Sequence, residues 1–81
     1  MRIDVALYGL RLFKSRTQAA TAVEEGRVWL NHQPTRPSHA VKIGDRITLH
    51  GPRASRTIEI LELPRGSLRK ADAQRLIREV G

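Results

Sequence analysis

Apolar residues at Ile3, Leu7 and Leu10 recur at helical spacing, and Ala6 and Phe13 widen the same face, so the chain opens on a helix. Asp4 stands at its start as the expected cap, and Arg11 falls on its flank near Asp4 and Tyr8. Ser15-Arg16-Thr17-Gln18 fits a capping box, in which a Ser hydroxyl and a Gln side chain satisfy opposite backbone donors, and so begins a second helix. That helix ends at Gly26, a left-handed cap after Glu24 and Glu25. Its apolar side, Ala19, Ala20, Ala22 and Val23, is thin enough for close approach to the first helix, and one tight corner joins the pair.

Beyond Gly26 the period shortens. Val28-Trp29-Leu30 favours a strand and Asn31-His32-Gln33-Pro34 a turn, in which a His after Asn31 takes a place where Gly meets positive φ more easily. Pro37 and Ser38 continue the loop. Val41 and Ile43, then Ile47 and Leu49, bracket a turn at Gly44-Asp45, and Thr57–Leu63 alternates as the clearest strand, set off by Gly51-Pro52. Between Ser67 and Val80 the positions of Ala73, Leu76, Ile77 and Val80 predict a helix. The order is ααβββα: an α+β fold of two packed N-terminal helices, a small bent antiparallel sheet and a C-terminal helix. Residues 1–64 are expected to form the domain and 65–81 a helical extension packed on it.

The chain has 81 residues, enough for one domain with a small core and too few for a deep catalytic cleft. It has no Cys, so disulfides and thiolate chemistry are excluded and the fold rests on packing, as suits a reducing cytoplasm. Apolar runs are short and Met1-Arg2-Ile3-Asp4 is not a signal peptide, so a soluble cytoplasmic protein is expected, without membrane association. Fifteen basic residues against eight acidic ones give a net charge of +7, and twelve of the fifteen are Arg. Arg forks onto phosphates and stacks on bases, which directs attention to nucleic acid ahead of an acidic protein or an anionic membrane.

The strongest candidate site is the corner Lys14-Ser15-Arg16 with Arg11 beside it. Free amides at a helix start already favour an anion, and an Arg in the first turn opposes the helix dipole until a phosphate arrives. Arg2 and Arg27 border the same face if the ends of the two helices lie close. Tyr8, Phe13 and Trp29 are the only aromatic residues, so no broad stacking platform is expected, and Phe13 and Trp29 read as core. His32, His39 and His50 lack ligand spacing, Ser15 has no evident base, no carboxylates form a marked dyad, and no Gly-rich phosphate loop is present. A protein without catalytic residues, metal or cofactor is expected.

The residues Arg2-Ile3-Asp4, Arg11 to Ala19, Gly26-Arg27-Val28, Asn31 and Val41 to Ile47 together resemble the RNA-binding domain named after ribosomal protein S4, over roughly residues 2–50. The short architecture, with a strand and a helix closing it, is similar to the family of the bacterial fifteen-kilodalton heat-shock protein and RqcP. The resemblance implies an S4-like (αL) fold and contact with structured RNA, rRNA or tRNA, through Arg2, Arg11, Lys14, Ser15, Arg16, Arg27 and Asn31. It further implies docking on large ribosomal subunits obstructed by peptidyl-tRNA, alongside a nascent-chain quality-control factor. Val5 stands where that family commonly has Lys, and His32 where it has Gly. Arg69, Lys70, Arg75 and Arg78 on the expected last helix offer a second RNA contact, and a monomer is the simpler expectation. The rival readings are a general structured-RNA or ribosome-assembly module, a DNA-binding helix pair and a β-grasp interaction protein ending at Gly81; the Ala-rich second helix disfavours the DNA reading.

Overall fold

The computed structural model describes residues 1–80, so Gly81, on which the β-grasp reading leaned, lies outside them. Two helices, α1 (Ile3–Gly9) and α2 (Arg16–Glu24), precede strands β1 (Val28–Leu30), β2 (Gln33–Pro34), β3 (Arg46–His50) and β4 (Ser55–Ile60). A short helix α3 (Lys70–Gln74) and strand β5 (Ile77–Val80) close the chain. The strands form one antiparallel sheet in the order β2-β1-β3-β4-β5.

Alternation decides which residues enter the core. Ile47 pairs with Ile58 and both are fully buried, while on the opposite face Thr48 pairs with Thr57, their hydroxyls 3.0 Å apart. Val28, Leu30 and Ile60 add to the buried face of the sheet, and Ile3, Ala6, Leu7, Ala19, Ala22 and Val23 cover it from the helices. The turn expected over 31–34 is confined to Asn31 (φ 50°) and His32 (φ 69°), and Gln33–Pro34 forms β2, with Leu30 paired to Gln33 across the turn. Two left-handed central residues match the right-handed twist of the flanking strands.

Two expectations are corrected. The helix read over 67–80 is confined to Lys70–Gln74, and Ile77–Val80 instead pairs with β4, Ile77 opposite Ile60 and Val80 opposite Thr57. Ile77 and Val80 are β-branched, and the free edge of β4 offers a row of backbone partners that outweighs a helical period of only a few residues. Ala73, fully buried, remains the helical anchor. Secondly, Asp4 does not cap α1. Arg2 occupies the cap position without a side-chain bond to a helix amide, and the first amides donate to backbone carbonyls of a distant loop: Ile3 to His39 (2.7 Å) and Asp4 to Pro37 (3.3 Å). Asp4 is already helical and buried; its carboxylate accepts from the Val5 amide (2.7 Å) and from Arg2.

Candidate nucleic-acid interface

Three local devices end α1, end α2 and start α2, and the first and third of them make the corner between the two helices. At the end of α1, the Leu12 amide donates to the Leu7 carbonyl (3.1 Å) and the Arg11 amide to that of Tyr8 (3.0 Å), with Arg11 at φ 62°. This is a Schellman motif. The same motif ends α2, where the Arg27 amide donates to Ala22 (2.9 Å), the Gly26 amide to Val23 (3.0 Å), and Gly26 has φ 78°. One motif uses the residue that left-handed backbone favours; the other holds an arginine there. Finally, the Ser15 hydroxyl accepts from the Gln18 amide (3.0 Å), forming the hydroxyl half of the expected capping box and starting α2 at Arg16.

Ion pairing sorts the cations. Arg2 donates from Nε (3.1 Å) and Nη2 (2.9 Å) to the Asp4 carboxylate, which fixes the guanidinium and leaves its other donors outward. Arg27 is held by Glu25 at 2.6 Å. Among the described residues Arg11, Lys14 and Arg16 have no carboxylate partner, so the corner carries uncompensated charge. Arg11 and Lys14 line one groove with Tyr8, Gln18 and Lys70. Arg27 shares a second with Phe13, Thr17, Gln18 and Thr21, whereas Arg2 sits at the far end of α1, roughly 10 Å along its axis.

The remaining residues singled out in the sequence separate. The Asn31 amide is used by the fold: its Nδ2 donates to Asp45 (3.2 Å) and its Oδ1 accepts from the Arg46 amide (2.9 Å). Burial works to raise the Asp45 carboxyl, but hydrogen bonds from the Lys42 amide, the Asn31 side chain and the Lys42 ammonium, with the charge of the latter, outweigh it and hold the group below its usual value. Of the four cations expected on a last helix, Lys70 alone lines the corner groove. Arg69 and Arg75 flank the short α3, and Arg78 lies on β5 paired with Glu59. Sequence reasoning passed over Tyr8 as a surface feature; it follows Leu7 and so points off the buried face, where it is 44% exposed.

The S4 domain family profile matches residues 1–47, the segment that contains α1, α2 and the β1–β2 hairpin, and the chain belongs to the S4 domain family. Within it the chain is 41% identical over 64 residues to the RQC P-site tRNA stabilizing factor of Helicobacter pylori, covering 79% of this chain and 76% of that protein. Identity to the factor of the same name from Bacillus subtilis is 35% over 63 residues, 78% and 73% of the two chains. The fold is similar to that of Vibrio cholerae heat shock protein 15, solved as a trimer, with a TM-score of 0.91 and 36% identity over 99% of this chain and 81% of that one. Among the described residues no helix is long and apolar enough to cross a membrane.

Proposed function

We propose that this protein binds structured RNA through the α1–α2 corner and, on the ribosome, docks against rRNA and tRNA of large subunits that still carry peptidyl-tRNA, in ribosome-associated quality control. The observation that carries the reading is the cluster of Arg11, Lys14 and Arg16, without carboxylate partners among the described residues, around a capped helix start inside the S4-matched segment. The choice of RNA draws on the relatives named as P-site tRNA stabilizing factors.

The work is positional and needs no catalytic group. Phosphates meet the α2 amides together with Lys14, Ser15 and Arg16, while Arg11 and Arg27 extend the contact and Arg2, oriented by Asp4, adds a fork at the far end of α1. Such a surface recognises the shape of folded RNA more than its sequence. Neutralising about four phosphates makes affinity fall with salt at a log–log slope of roughly −3 to −4. Asn31 contributes by holding the β1–β3 junction. One copy suffices for this docking, and a nascent-chain quality-control factor is the expected neighbour.

The test is co-sedimentation of the protein with isolated large subunits, empty and peptidyl-tRNA-bound, for the native chain and Arg16→Ala at two salt concentrations. Preferential, salt-sensitive binding to occupied subunits that the substitution abolishes supports the reading. Binding to free structured RNA but to neither subunit removes the ribosomal assignment, and a salt slope near zero removes the phosphate mechanism.

A further inference from the structure

Of the three aromatic side chains, two are engaged by the fold. Trp29 donates its indole N–H to the Gly26 carbonyl (3.0 Å) and sets its ring against His50 at 5.1 Å and 74°, and Phe13 packs on the core. Tyr8 is left 44% exposed in a groove whose other polar members are Arg11, Lys14, Gln18 and Lys70, with no carboxylate among the described residues lining it. The groove joins two distant parts of the chain, residues 8–18 and Lys70 far downstream. The segment leading to α3 is pressed on the end of α1, where a Cβ at Gly9 would fall 2.7 Å from Pro64 Cγ. A second groove continues past Arg11 and Lys70 to Arg56.

An open aromatic face ringed by cations and one amide has the composition of a site for a single nucleotide. The ring offers a stacking surface, the cations take the flanking phosphates, and the Gln18 amide both donates and accepts at a base edge. We propose that the Tyr8–Lys70 groove binds one unpaired nucleotide of the RNA, its base stacked on Tyr8 and its adjoining phosphates on Arg11, Lys14 and Lys70. This inference rests on the RNA-binding reading and deepens it: the corner reads backbone shape, and the groove selects RNA in which a base is free to leave the helix.

The test uses two RNA hairpins, each closed by the same non-nucleotide linker so that no loop base is free, that differ only in one bulged 2-aminopurine, with binding followed by anisotropy and base stacking by 2-aminopurine fluorescence. The native protein is expected to prefer the bulged RNA on the order of tenfold and to quench its fluorescence. Tyr8→Leu should lose the preference and the quenching while holding the fully paired hairpin as before, and Tyr8→Phe, which keeps the ring, should retain both. Lys70→Ala should weaken the bulged complex and make its salt slope shallower by about one. Equal affinity of the native protein for both hairpins, or a preference that survives Tyr8→Leu, overturns the nucleotide site and leaves the corner reading intact. Binding of neither hairpin overturns both.

Discussion

Replacing Arg11 by Gly should make the protein more stable and a poorer RNA binder at once. Arg11 holds φ 62° at the position of a Schellman motif that α2 gives to Gly26. Left-handed backbone costs an L-residue roughly 1 to 2 kcal/mol. Glycine avoids that term but loses about 0.5 to 1 kcal/mol more backbone freedom on folding. The Arg11 side chain is exposed and pairs with no carboxylate among the described residues, so its removal takes little from the folded state. The balance favours Arg11→Gly by roughly 0.5 to 1 kcal/mol. In a domain of this size that is a rise in Tm of about 2 to 8 °C. Gly26→Ala is the converse control: an added Cβ meets nothing within 4 Å, so its expected loss of about 1 kcal/mol comes from backbone alone. Thermal and urea unfolding followed by circular dichroism measure both, and titration of a structured RNA at several salt concentrations measures the functional side. Arg11→Gly should bind more weakly with a slope shallower by about one. A fall in stability for Arg11→Gly, or none for Gly26→Ala, would refute the account of strain retained for the sake of a cation.

Ser15→Ala removes the oxygen that accepts from the Gln18 amide and should lower stability by about 1 kcal/mol in denaturant unfolding. Lys14→Ala with Arg16→Ala should flatten the salt dependence of RNA binding by roughly 1.5 to 2 while leaving the melting curve nearly unchanged, because neither side chain is paired among the described residues. Despite burial, the Asp45 carboxyl is held below its ordinary value in the folded protein by hydrogen bonds from Lys42 and Asn31, so its charged form stabilises the fold above the unfolded-state value and that contribution is lost as pH falls through the lowered one. The stability gap between the native chain and Asp45→Asn should therefore be widest near neutral pH and narrow below about pH 4; a gap of constant size would contradict it.

Helix α2 and the hairpin turn were legible because local chemistry decides them. Ser15 and Gly26 mark the ends of α2 by hydroxyl capping and left-handed backbone, and Asn31-His32 supplies two residues in positive φ. Ile77–Val80 was misread because Leu76, Ile77 and Val80 fit a helical period as well as a strand, and only the open edge of β4 chooses between them. Asp4 was misread for a related reason. A cap looks local in sequence, yet the α1 amides are answered by His39 and Pro37, which no nearby residue announces. At the site, the corner Lys14-Ser15-Arg16 could be read directly, whereas the approach of Lys70 to Tyr8 depends on Pro64 packing against Gly9.

The capping of α1 by that distant loop also bears on the order in which the molecule comes together. Seven residues are too few for a helix to persist alone in water, and here the first amides, together with the Val41 amide's bond to the Met1 carbonyl (2.9 Å), stay unanswered until residues 37–41 are in place. The β3–β4 hairpin closes a far shorter span of chain and has no such dependence. The N-terminal end of the first helix thus cannot be completed before residues 37–41 have joined it, so the scaffold under the cationic corner draws on chain well beyond the corner itself.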